Sequence, residues 1–332
     1  MQSSGHQRIG EAVRHAPLAG VALVAAGAAL WGVDGVLRQP LVDFTEPGAW
    51  SSWTIVLYEH LILTAIVAPL LIRRWRGLRG LDGPGWASLL VIAWGGSALA
   101  TLAFTEAFRY GNPNVVVLLQ KTQPLWAIGV AVLVVRERPR PGLAWLLLPA
   151  AAGTYLLSFG TASPGDAFSG GEGKAALLAL TAAGLWGSAT AFGRRALRTL
   201  DVPLLTAARF SLALPLLFAI AAIKGAVGPP GAAPAGDWLR LPLIALGPGL
   251  VAMLLYYRGL RSTPAPVATI AELAFPATAL VVNYLFLDAT ISFAQLVGMA
   301  VLWVTISLLH RAPVRVPEPI EPPLAGPIPG SA

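Results

Sequence analysis

Apolar residues in this chain gather into runs of about twenty, separated by short segments that hold arginine, proline, glycine and aspartate. At 1.5 Å per residue, about twenty residues span the ~30 Å hydrocarbon core of a bilayer. The runs predict ten membrane-spanning helices, over residues 18–37, 51–72, 84–107, 113–135, 141–159, 175–192, 203–223, 238–257, 266–287 and 291–309. Proline opens several of them, where its missing N–H costs nothing.

Composition agrees with the pattern. Of 332 residues, 56% are hydrophobic and only 12% are charged, and the mean hydropathy is +0.68. A soluble domain of this length needs more surface charge, so lipid is the solvent for most of the chain. The sequence has no cysteine, which excludes disulfide scaffolds, thiolate metal sites and thiol nucleophiles. A pI near 10.2 invites a nucleic-acid reading, yet the basic residues sit in short runs between apolar stretches. That spacing reports topology, and no nucleic-acid partner is expected. With the N-terminus inside, cytoplasmic segments hold Arg8, Arg14, Arg73, Arg74, Arg76, Arg79, Arg136, Arg138, Arg140, Arg194, Arg195, Arg198, Arg258, Arg261, Arg311 and Arg315. Outer segments hold only Arg38, Arg109, Lys174, Lys224 and Arg240. The bias predicts a multi-pass protein of the cytoplasmic (inner) membrane with both termini cytoplasmic. The first run follows a polar leader and is echoed later, so it reads as a retained helix and not a signal peptide.

The chain also repeats itself. Leu30-Trp31-Gly32 returns as Leu185-Trp186-Gly187, and the stretch 109–124 returns as 261–276. Five predicted helices lie on each side of residues 161–174, and an odd number per half places the second copy upside down. The turn after the fourth helix, around Arg136-Glu137-Arg138, corresponds to the arginine-free turn after the ninth, around Leu287-Asp288-Ala289, as expected for equivalent turns on opposite sides. The division is a cytoplasmic tail 1–17, a first repeat 18–160, an outer linker 161–174, a second repeat 175–310 and a cytoplasmic tail 311–332. Seven prolines in that last tail keep it out of the packed unit.

Leu-Trp-Gly in both halves, Leu119-Gln120-Lys121-Thr122-Gln123-Pro124 ahead of Arg136-Glu137-Arg138, and the second copy over 259–276 together resemble the EamA-like family of the drug/metabolite transporter superfamily. The likeness covers residues 18–309. It implies an all-α integral membrane fold of two inverted five-helix repeats, and secondary-active transport of a small metabolite, amino acid or drug, often outward, by alternating access. It also implies a cavity between the halves, lined by the first, third, fourth, sixth, eighth and ninth helices. Ala289 stands where the first copy has Glu137, which argues against a symmetric role for that acid.

An ionisable group inside a membrane costs about 2.5–3.5 kcal/mol even on insertion-based scales, so it needs a partner or water. Glu59 and Lys121 each lie eight residues from the outer side, ~12 Å deep, and Arg209 and Glu272 each ~9 Å from the cytoplasmic side. The copies place Glu59 opposite Arg209, and Gln120, beside Lys121, opposite Glu272. Matching depth and opposite charge predict two buried pairs, Glu59 with Lys121 and Arg209 with Glu272, either tying helices together or facing a zwitterionic substrate. Asp34, near the outer end of the first helix, reads either as a solvated end charge or as a gating or proton-coupling acid. Glu106 and Arg109 read as an i, i+3 pair.

Uncharged candidates complete the site. Pro124 and Pro276 interrupt equivalent helices, either freeing carbonyls near Gln120, Gln123 and Thr269 for a polar substrate or serving as packing kinks. Trp31, Trp186, Tyr256 and Phe275 line the cavity or belong to the core. Gly247-Pro248-Gly249 breaks the eighth helix as a hinge or a close-packing point. His6, His15, His60 and His310 are scattered, and 169–174 lacks the first glycine and the Ser or Thr of a phosphate loop. No enzyme activity, metal or cofactor is expected, and the partners are a small-molecule solute and membrane lipid. A channel or an intramembrane hydrolase is the alternative class.

Overall fold

The computed structural model describes residues 18–42, 49–123, 125–126, 129–130, 143–196, 199–229, 233–260, 271–272 and 274–311. Among these every regular element is helical. Six helices are long and apolar enough to cross a membrane: Leu18–Val42, Ser52–Gly80, Gly83–Ala107, Gly171–Gly193, Val202–Ile223 and Ala235–Tyr256. They occupy the expected first, second, third, sixth, seventh and eighth positions, and are named by those ordinals below. Shorter apolar helices at Leu148–Phe159, Ala274–Leu287 and Phe293–Thr305 fall within the fifth, ninth and tenth. The fourth begins as Pro113–Leu119 and tightens to a 3-10 turn over Gln120–Thr122; its second half lies largely outside the described residues.

Local chemistry starts these helices where the sequence places polar residues ahead of apolar runs. Ser51 accepts from Thr54 N, Asp82 from Gly85 N, Asn112 from Asn114 N and Asp201 from Leu204 N, each satisfying one of the orphan donors of a first turn. Proline follows in the first turn at Pro84, Pro113 and Pro203.

Packing relates the halves. The first helix packs on the eighth and ninth, the sixth on the third and fourth; the second pairs with the seventh, the fourth with the ninth and the fifth with the tenth. Exchanging the halves maps this set of neighbours onto itself. Small residues set the spacing, since lipid supplies no hydrophobic drive between helices. A Cβ on Gly27 would meet Ala252 O at 2.6 Å, one on Gly32 would meet Phe275 O at 2.6 Å, and one on Gly298 would meet Leu157 N at 2.5 Å. The central core gathers Ala28, Ile55, Phe104, Phe108, Val116, Leu119, Leu157 and Ala179, whereas Trp145, Phe218 and Phe286 are exposed, as lipid-facing side chains can be.

Four expectations need correction. The first span reaches Val42, not residue 37, after a turn at Val33 that separates Leu18–Gly32 from Asp34–Val42. The linker 161–174 is not a simple loop: Ser163 and Pro164 start a helix, Pro164–Ser169, and the sixth span already begins at Gly171. Gly247-Pro248-Gly249 does not break the eighth span. It lies in a π-helical stretch, Ala245–Val251, whose wider turn accommodates a proline without an N–H. The third span carries its own π-helical stretch at the equivalent place, Val91–Leu99. Pro276 is the third residue of Ala274–Leu287, so it starts that helix and does not kink it; Glu272 occupies the turn just before. Pro124 and Thr269 lie outside the described residues.

Candidate functional site

Lys121 and Glu272 meet. Their side chains approach to 3.8 Å, with 24% and 31% of their surface exposed, at the 3-10 turn of the fourth span and the turn that precedes the ninth helix. The sequence repeat aligns Glu272 with Gln120, the neighbour of Lys121, so the two charged groups meet where the equivalent helices of the two halves pack. Irregular backbone at such a place is where a polar ligand is usually held in an inverted-repeat protein. Tyr256 Oη donates a short hydrogen bond to Glu272 Oε1. The Tyr256 ring lies 5.0 Å from Trp31, and Lys121 Nζ sits 4.5 Å above the Phe275 ring. Five of the expected candidates therefore converge. Gln120 and Gln123 are half-buried on the same fourth-span segment.

The pairing expected for Glu59 is not the one formed. Arg38 takes it: Nη1 donates to Glu59 Oε2 at 3.0 Å and to Thr105 Oγ1 at 2.8 Å, while Nε and Nη2 donate to the two oxygens of Asp34 at 2.8 and 2.9 Å. Arg38, Asp34 and Glu59 are 3%, 7% and 5% exposed, so Asp34 is no solvated end charge. Because the first span continues past Val33, Arg38 is carried inward beside the second and third spans. Arg209 likewise does not bond Glu272; its Nε donates to Ser97 Oγ in the π-helical stretch of the third span at 2.8 Å. Equal depth fixes only the coordinate along the membrane normal, and these side chains differ in which neighbour they face.

Glu106 and Arg109 pair at 3.4 Å, and Glu106 also accepts from Ser52 Oγ at 2.6 Å and Tyr110 Oη at 3.1 Å. Trp186 lies 5.3 Å from Phe104. This repeats the Trp31–Tyr256 contact in the other half, since Phe104 and Tyr256 hold equivalent places. The Phe104 ring is also 5.8 Å from the Arg38 guanidinium.

Among the described residues, a buried layer lies toward the side that the loop charges assign to the exterior. Asn114 to Leu119, between Lys121 and that side, are all buried. Across the halves, Asn283 Nδ2 donates to Asn114 Oδ1, Asn114 Nδ2 to Ala289 O, Thr54 Oγ1 to Ala226 O and Trp50 Nε1 to Asp237 Oδ2. At the opposite side the halves are joined by an ion pair of Arg74 and Asp201 that is about half exposed. Asp201 has its carboxyl held below the usual carboxylate range, first by the Leu204 N–H it accepts and then by Arg74.

A family model described as the EamA-like transporter family matches the chain twice, over residues 18–159 and 173–311. The chain belongs to that family. A riboflavin transporter, ImpX, of Fusobacterium nucleatum is 32% identical over 298 residues, covering 88% of this chain and 97% of that protein. A solved crystal structure aligns with 88% of this chain and 97% of its own at a TM-score of 0.55 and 19% identity, a likeness of fold. The protein is thus a multi-pass membrane transporter of small molecules, as the resemblance in its motifs implies. Reasoning from motifs alone missed Arg38 and Thr105 as partners of the buried acids. The i, i+4 spacing of Asp34 and Arg38 was the available signal.

Proposed function

We propose that this transporter carries riboflavin, or a flavin-like heterocycle, across the cytoplasmic membrane by alternating access between the repeats 18–160 and 175–310, with both termini in the cytoplasm and export as the physiological direction. The observation that carries the reading is the Lys121–Glu272 pair, flanked by Trp31, Tyr256 and Phe275, where the two halves pack. Aromatic faces suit a flat ring system, and a partly exposed pair of charges suits its polar edge. The 32% identity to a riboflavin transporter points to the same solute. The buried layer of Asn114 to Leu119 toward the expected exterior supports an inward-facing state, from which rocking of the halves about the second and seventh spans exposes the site outward.

Counterflow in sealed proteoliposomes tests the proposal. Vesicles preloaded with unlabelled riboflavin accumulate labelled riboflavin transiently, and saturably, if a carrier exchanges it. Lys121→Ala and Glu272→Ala each reduce the rate at least ~10-fold, since each removes a charged contact worth about 1.5–3 kcal/mol. Counterflow of amino acids but not of riboflavin overturns the choice of solute; linear uptake with no counterflow identifies a channel. Oriented vesicles loaded from one side or the other read the direction.

A further inference from the structure

A basic collar stands at the end of the second span, away from the solute site. Arg73 and Arg74 close the helix, and the chain then tightens into a 3-10 turn, Trp75–Gly80, that carries Arg76 and Arg79. One side of this turn is held by the protein. Leu78 packs against the cluster of Leu81, Leu89, Leu200 and Leu204, and a Cβ on Gly77 would meet Leu204 Cδ2 of the seventh span at 2.7 Å. In a 3-10 helix residues three apart eclipse one another, about 6 Å apart along the axis. Arg76 and Arg79 therefore share one face, and both are exposed, as is Arg73. The Arg79 guanidinium lies 4.1 Å over the Trp75 ring, a contact that uses its flat face and not its N–H edge. The neighbouring acids are already engaged: Asp201 pairs with Arg74, and Asp82 accepts from Gly85 N. Among the described residues, Arg73, Arg76 and Arg79 have no acidic partner.

Apolar surroundings place the collar at the edge of the lipid. Ile72 and Trp75 are 71% and 46% exposed, and Trp86, at the start of the third span, is 38% exposed. Exposed tryptophans at the ends of membrane-spanning helices mark the headgroup level, and arginines at that level meet phosphodiesters. We infer that Arg73, Arg76 and Arg79 bind the headgroup of an anionic phospholipid whose acyl chains lie along Ile72 and Trp75. Guanidinium forks match phosphate oxygens in pairs, so Arg76 and Arg79 on one face of a short rigid turn can hold one phosphate between them. Arg73, one turn back on the helix, adds charge. A zwitterionic lipid offers the same phosphate but brings its own cation, which the arginines repel, so the site selects by net headgroup charge. Free phosphate has no chains to lay against Ile72 and Trp75, and it loses that apolar burial. The inference does not depend on the solute carried. It assigns a lipid to the outer surface of the bundle, at the end of a span about which the halves are proposed to rock.

The test titrates purified full-length protein, in a neutral detergent, with phosphatidylglycerol and separately with phosphatidylcholine of the same chains, and reads bound lipid by native mass spectrometry. Each arginine near the headgroups is worth about 5-fold in affinity, so phosphatidylglycerol binds at least ~20-fold more tightly. The double substitution Arg76→Gln, Arg79→Gln reduces that preference to ~5-fold or less and leaves phosphatidylcholine binding unchanged. Arg258→Gln, at an exposed arginine near the end of the eighth span, changes the preference by less than ~2-fold. Inorganic phosphate at the concentration of the lipid leaves the bound lipid in place. Equal affinity for the two lipids in the wild-type protein overturns the inference without any variant. An Arg258→Gln loss as large as that of the double substitution shows diffuse charge in place of a site and overturns it as well. Displacement of the lipid by inorganic phosphate identifies a free-anion site and overturns the lipid assignment.

Discussion

Replacing Arg38 with methionine is the sharpest probe of how the first three spans hold together. Methionine keeps most of the apolar stem and deletes the guanidinium, which makes four hydrogen bonds inside the bundle. What remains is Asp34 and Glu59, two carboxylates 7% and 5% exposed, with their shared cation gone. Removing one partner of a buried ionic network costs about 3–5 kcal/mol, because the charges left behind lose compensation but not their desolvation cost. At an unfolding entropy of ~2.1 cal/mol/K per residue, the chain of 332 residues loses about 1.4 °C of melting temperature per kcal/mol, so the midpoint falls by about 4–7 °C. The assay is thermal unfolding of detergent-purified protein followed by intrinsic tryptophan fluorescence. The triple substitution Arg38→Met, Asp34→Asn, Glu59→Gln removes all three charges and recovers most of the loss, since a neutral core pays no such desolvation penalty. A single mutant within 1 °C of wild type refutes the reasoning, and so does a triple mutant less stable than the single one.

Two further predictions rest on separate features. Gly298→Leu sets a side chain where a Cβ would already lie 2.5 Å from Leu157 N and 2.8 Å from Gly153 O, so it forces the fifth and tenth spans apart and costs at least about 1–3 kcal/mol, read as a lower melting midpoint and lower yield. Asp201→Asn keeps a cap for Leu204 N but loses the charge facing Arg74; because the folded carboxyl titrates below its unfolded value, wild type holds this contribution above the ordinary carboxylate pKa and loses it as pH falls through the depressed one. Melting curves of wild type and Asp201→Asn therefore differ at pH 6–7 and converge toward pH 3, and a difference that grows with acidity contradicts the assignment.

Helices, repeat and family were legible in the sequence because each is written in contiguous residues. A run of apolar side chains must cross lipid wherever it falls, and Ser51, Asp82, Asn112 and Asp201 mark helix starts through contacts two or three residues away. Lys121, Glu272, Tyr256, Trp31 and Phe275 were all candidates before any geometry was known, since polar and aromatic groups in so apolar a chain stand out. Their partners were not legible. Depth along the membrane normal follows from counting residues, but which face of a helix meets which neighbour depends on packing across the bundle. Glu59 and Lys121 share a depth, yet Glu59 turns to Arg38, which the first span delivers only because its helix resumes after Val33. Lys121 turns to Glu272, which the repeat aligns with the adjacent Gln120. The sequence by itself thus determined how many apolar stretches there are, how they repeat and which residues are out of place in lipid. The tertiary structure decided how those residues pair, because a buried charge is satisfied by whatever the crossing helices bring within about 4 Å, and that closeness is a property of two chain segments at once.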